Sequence, residues 1–118
     1  MNRNAAIDVL SALAQPTRLE AFRLLVRQGP DGLPAGEIGR RLDVPHNTMS
    51  THLAILARAG LLSVQRHSRS MIYRVNLEAV RQLVVFMLQD CCNGRPDLCT
   101  PLIEAIARSC STSGACCG

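Results

Sequence analysis

Aromatic side chains are scarce in this chain. Of its 118 residues only Phe22, Phe86 and Tyr73 carry a ring, and tryptophan is absent. Hydrophobic residues make up 47% of the sequence, enough for a core. That core must be built from Leu, Ile, Val and Ala, which points to packed helices more than to a large sheet. Long apolar runs are also missing. The longest, Leu83 to Leu88, is far too short to span a bilayer, so no membrane partner is expected. The opening Met1-Asn2-Arg3-Asn4 leads into an amphipathic segment without the pattern of a secretory signal. A cytoplasmic location is therefore expected. Cysteine is missing from the first 90 residues, and all six cysteines lie between Cys91 and Cys117. Disulfides are uncommon in the cytoplasm, so this cluster points to metal, metalloid or redox chemistry rather than to a covalent staple.

The length suits one compact domain. Its net charge of +4 suits a polyanionic partner such as DNA, without specifying one.

Apolar periodicity divides the chain into short helices. Ile7, Leu10 and Leu13 predict a helix over 4–13. Pro16 sits well in the first turn of the next helix, which should bury Leu19, Phe22, Leu25 and Val26. Gly29-Pro30-Asp31-Gly32 reads as a loop. Pro34 opens a third helix carrying Ile38 and Leu42, and Asp43-Val44-Pro45 is a tight connection. A fourth helix runs from about His46 to Ala59, with Met49, Leu53 and Leu56 inward and His46, Asn47, Ser50 and Thr51 on the other face. Gly60 is placed to end it in the left-handed conformation.

The period then changes to two. Residues 62–66 and 71–75 predict two strands of a hairpin around the basic tip His67-Ser68-Arg69-Ser70. Asn76 is a suitable cap for a fifth helix over about 77–90. That helix is apolar nearly all round from Leu83 to Leu88, which calls for cover on every side. A dimer interface is the favoured reading, with a buried core helix as the alternative. Thr100-Pro101 begins a sixth helix to about Arg108. Residues 109–118 lack the hydrophobic content to fold alone and predict a flexible Cys-containing tail.

Two short helices joined by a tight turn and followed by a hairpin make a winged helix-turn-helix, a mainly α fold with a small β-hairpin. In that arrangement the second helix enters the major groove of double-stranded operator DNA. Asn47, Thr48, Ser50, Thr51 and His52 are short polar groups suited to base edges, His52 being equally suited to packing against the turn. Arg66, Arg69 and Arg74 lie on or beside the hairpin tip, where arginine supplies phosphate or minor-groove contacts.

Leu13-Ala-Gln-Pro-Thr-Arg-Leu19, Met49-Ser-Thr-His-Leu-Ala-Ile-Leu56, Ala59-Gly-Leu-Leu62 and Ile72-Tyr-Arg-Val75 together resemble the ArsR/SmtB family of metal-responsive repressors, over about residues 5–90. The resemblance implies a homodimer held by its terminal helices, which represses resistance operons and releases DNA when an ion binds. Two known inducer sites do not carry over. The helix before the recognition helix, Ala35-Gly-Glu-Ile-Gly-Arg-Arg41, has no thiol. Residues 77–90 offer Glu78 and Asp90 but no histidine. Pro45 also stands where many relatives have a capping serine.

The inducer site is therefore sought in the cysteines. Cys91 and Cys92 are adjacent, and Cys99 follows after Asn93-Gly94 and Pro96, which let the chain turn back. Three thiolates suit As(III) or Sb(III), soft ions that take three sulfur ligands in a pyramid. The segment also resembles the C-terminal arsenite-sensing cysteines of some arsenic repressors. Zinc or cadmium would want four ligands, with Cys110 available as the fourth. The expectation is a repressor comprising a DNA-binding and dimerisation domain over 1–108 and a tail over 109–118, switched by a metalloid. A thiol-redox or Cd/Zn-responsive repressor of the same fold is the alternative. An enzyme is not expected: there is no Cys-x-x-Cys, no phosphate-cradling loop and no base placed near a thiol.

Overall fold

Asn2 starts the first helix by accepting a hydrogen bond from the Ala5 amide at 2.8 Å through its side chain. In the computed structural model, which describes residues 1–88, Pro101 and 104–106, this helix is α1 (Arg3–Leu13). It is followed by α2 (Pro16–Gln28), β1 (Leu33–Pro34), α3 (Ala35–Leu42), α4 (His46–Arg58), β2 (Leu62–His67), β3 (Ser70–Val75) and α5 (Leu77–Leu88). Pro101 and residues 104–106 are helical. The rest of the expected sixth helix, the tail and all six cysteines lie outside the described residues.

The core gathers Leu25, Ile38, Met49, Leu53, Leu56 and Leu61, all fully buried, with Val9 beside them. Two helical stripes differ from the sequence expectation. On α1 the inward residues are Ala6, Val9 and Ala12, while Ile7 and Leu10 are 54% and 42% exposed. Leu13 is partly buried against the core, so only the Ile7 and Leu10 part of the expected stripe faces outward. On α2 the buried stripe is Ala21, Leu24 and Leu25, and both Leu19 and Val26 stand 42% exposed. On α5, Ala79 and Leu83 are buried, while Leu77, Val84, Val85 and Met87 are exposed.

Among the described residues the sheet has three strands, not two, in the order β1-β3-β2, all antiparallel. β2 and β3 pair from Leu62 with Val75 to His67 with Ser70, one residue further at the tip than the alternation suggests. The loop is Ser68-Arg69, with Ser68 in the left-handed region at φ 61°. Leu33 and Pro34 pair with Tyr73 and Ile72 on the other side of β3. Asn76, expected to cap α5, uses its side-chain amide to donate to the Gly60 carbonyl at 3.0 Å. That bond fastens the end of the hairpin to the end of α4.

Gly32 makes the third strand feasible. It has φ +68°, and a Cβ there would stand 2.5 Å from the Tyr73 carbonyl oxygen and 2.9 Å from Ile72 Cγ2. Gly32→Ala combines left-handed strain with a backbone clash and should cost about 2–4 kcal/mol. Calorimetry should show the melting temperature lower by roughly 10–20 °C. An unchanged melting temperature would mean that β1 does not sit against β3 as described.

Candidate nucleic-acid interface

The turn between α3 and α4 is built by the backbone. Asp43 takes the left-handed conformation at φ 56°, and the Val44 amide donates to the Gly39 carbonyl at 2.9 Å. α4 then leaves from Pro45, which supplies no side-chain cap. Met49, Leu53 and Leu56 pin its inner face in the core. Its far end closes with Gly60 at φ +90°, Gly60 N–H donating to Ala57 and Leu61 N–H to Leu56. This is a Schellman motif, and both Leu56 and Leu61 are fully buried in the core. Both ends of α4 are thus fixed, so its outward side chains share one rigid support.

His46, Asn47, Thr48 and Thr51 are exposed and Ser50 is half-buried. The Thr51 hydroxyl donates back to the Asn47 carbonyl at 3.2 Å. A groove of about 280 Å³ separates α4 from the hairpin, with His46 and Ser50 on one side, Arg69 and Ser70 on the other, and Tyr73 between. Arg66 and Arg69 are exposed, and among the described residues neither is paired with a carboxylate. Of the residues expected to contact DNA, the groove brings Ser50 and Arg69 together, while Asn47, Thr48, Thr51 and Arg66 are exposed outside its lining. His46 and Ser70 join them at the groove. His46 opens α4 and was readable as an outward residue; Ser70 needs the hairpin register to be placed.

His52 differs from the others. It is half-buried, and its ring Nδ1 lies 3.4 Å from Arg18 of α2. The same guanidinium donates to the Ala12 carbonyl at 2.6 Å and to the Ser11 carbonyl at 3.5 Å. Arg74 is half-buried in β3, with its Nε enclosed and without a hydrogen-bond partner among the described residues.

On α3 a single carboxylate, Glu37, is shared by two cations. Glu37 accepts hydrogen bonds from Arg40 Nε at 3.0 Å and Arg41 Nε at 2.8 Å. Those bonds, Arg40's first, hold its carboxyl down at about 2, and Glu37 in turn pushes the Arg40 guanidinium up. Arg66 and Arg69 at the hairpin differ in having no carboxylate partner among the described residues.

A helix-turn-helix with a wing, polar residues on its second helix and free arginines on the wing is the architecture of a DNA-binding regulator. Known proteins agree. A helix-turn-helix domain model matches residues 13–65. The chain is 32% identical to the HTH-type transcriptional regulator YgaV of Escherichia coli over 79 residues, 67% of this chain and 78% of that one. It is 30% identical to the transcriptional repressor SdpR of Bacillus subtilis over 91 residues, 77% and 98% of the two chains. A solved structure described as a possible transcriptional regulator for arsenical resistance superposes with a TM-score of 0.61 at 26% identity, covering 68% of this chain and 80% of the other. The homodimeric winged helix-turn-helix domain Mb0332 of Mycobacterium bovis, a possible ArsR-family regulator, shares the fold with a TM-score of 0.61 at 23% identity, over 76% and 82%. The chain belongs to the ArsR family of winged-helix transcriptional regulators.

Among the described residues no three His, Cys, Asp or Glu side chains come together as metal ligands. The start of α3 offers Ala35 and Gly36, without a thiol. On α5, Glu78 is engaged by Arg81 and Gln82 of its own helix. Its carboxyl is held down at about 2, chiefly by the Arg81 hydrogen bond. Cys91, Cys92 and Cys99 lie outside the described residues. No described helix is long and apolar enough to cross a membrane.

Proposed function

We propose that this chain is a repressor that binds operator DNA as a homodimer and dissociates when As(III) or Sb(III) takes the thiolates of Cys91, Cys92 and Cys99. The observation that carries the metalloid reading is where the chain keeps its cysteines. None stands in the first 90 residues, and the first two follow shortly after α5. Three soft donors suit a soft, three-coordinate ion. The arsenical-resistance description of one structural relative supports the same reading. The homodimer is supported by the uncovered apolar side chains of α1 and α5, Ile7, Leu10, Leu77, Val84 and Val85. Large apolar side chains exposed together on two helices are the kind of surface that a second copy covers.

In this reading Asn47, Thr48, Ser50 and Thr51 meet base edges in the major groove, and Arg66 and Arg69 hold phosphates or enter the minor groove. A dimer reads half-sites about 34 Å apart, so a small change in helix spacing costs affinity. Binding of the ion next to α5 would change that spacing, and the coupling is reciprocal.

Fluorescence anisotropy on the chain's own upstream promoter fragment, under reducing conditions, tests the whole reading. Arsenite should release the DNA at a few equivalents. Release by zinc or by peroxide but not by arsenite would leave a repressor with a different signal. No binding to the fragment would overturn the function itself. Arg69→Ala should weaken binding to all sequences alike and lower the slope of log affinity against log salt by about 1. An unchanged slope would take Arg69 out of the interface.

A further inference from the structure

We propose that Arg18 and His52 form a positioning tie that fixes the recognition helix α4 to the C-terminal end of α1. The inference rests on the reading of α4 as the DNA-reading helix and adds a role that faces away from the DNA. Arg18 belongs to α2, yet its guanidinium serves two other helices. Its Nε–H donates to Ala12 O at 2.6 Å, and a terminal nitrogen donates to Ser11 O at 3.5 Å. These carbonyls belong to the last turn of α1, which has no basic residue of its own. A cation there complements the negative end of the helix. The other terminal nitrogen faces His52 Nδ1 at 3.4 Å. One planar fork therefore joins α1, α2 and α4.

The start of α2 is prepared for this. Gln15 accepts the Arg18 amide at 2.7 Å through its side chain, and Pro16 sets the first turn. The Arg18 backbone is held before its side chain reaches out. A cleft of about 290 Å³ lies alongside, lined by Asp8, Ser11, Arg18, Ile55 and Arg58. α1 and α4 are thus not packed tight along this edge, and the guanidinium bridges the gap.

An arginine has no acceptor, so His52 must offer the lone pair of Nδ1 and carry its hydrogen on Nε2. The role is directional: α4 needs an acceptor at the Nδ1 position and nowhere else on the side chain. Asparagine places its carbonyl oxygen close to where Nδ1 stands. Glutamine places it nearer Nε2.

This difference supplies the test. His52→Asn and His52→Gln are compared with wild type by anisotropy on the promoter fragment, with thermal melts of each free protein. His52→Asn should keep most of the wild-type affinity. His52→Gln should lose about five- to tenfold, the lower range of ordinary site-to-site couplings, at a melting temperature like that of His52→Asn. In parallel, imidazole 15N NMR should place His52 of the wild type in the Nε2–H form, and Arg18→Gln should abolish that bias. Equal affinities for the two His52 variants, with wild type binding tightly, would overturn the tie and leave the DNA-binding reading intact. A wild type that does not bind would overturn both.

Discussion

A Cys91→Ser chain is expected to bind its promoter fragment as tightly as wild type and to stay bound when arsenite is added. Serine keeps the size of the side chain and removes the soft donor. Trivalent arsenic would then be left with two sulfurs and a hard oxygen. The drop in DNA affinity that arsenite causes, roughly 5- to 150-fold for a coupling of ordinary size, should vanish. DNA binding itself should persist, because Asn47, Thr48, Thr51, Arg66 and Arg69 lie on α4 and the hairpin, far along the chain from the cysteines. Cys92→Ser and Cys99→Ser should behave in the same way, and Cys116→Ser should respond like wild type. Anisotropy with and without arsenite decides the matter. Full release of all three variants would remove these thiols from the proposal.

The second large effect concerns assembly. Leu77, Val84 and Leu88 recur at helical spacing on α5, and Val84 is 43% exposed. If a second copy covers this face, Val84→Asp places a carboxylate in an apolar contact. An uncompensated buried charge costs about 3–5 kcal/mol. A twofold interface meets the substitution twice, so the dimer dissociation constant should rise by at least about 10⁴. Sedimentation velocity should then find monomers, and DNA affinity should collapse because one recognition helix reads only half a site. Circular dichroism should still report helices, since the core lies on the other face of α5. A dimer that survives Val84→Asp would place its interface elsewhere.

Much of the DNA-reading unit could be read from the sequence. Met49, Leu53 and Leu56 have no competing apolar stripe on their helix, and all three are fully buried. Gly60 marked the end of α4 because few other residues tolerate its conformation. The inner face of α1 was not legible, since two apolar stripes of equal period run side by side. Hydrophobicity favours Ile7, Leu10 and Leu13, whereas the buried residues are Ala6, Val9 and Ala12, with Leu13 alone of the expected stripe packed against the core. β1 was hidden for another reason. Two residues cannot show an alternation, and one of them is proline. Its pairing with Ile72 and Tyr73 depends on a contact far along the chain. The Arg18–His52 contact likewise spans two helices and a turn, beyond the reach of any local pattern.

The two-residue strand also bears on how the protein behaves at high concentration. A three-stranded sheet has two open borders, and an open border invites another chain to add itself. Here one border is β1, and Pro34 has no amide hydrogen to offer a newcomer. The other is β2, where Ser63, Gln65, Arg66 and His67 present polar or charged groups to water. Both borders of the described sheet therefore discourage a further strand, so the hairpin can be exposed at its tip without becoming a template for fibrous self-association.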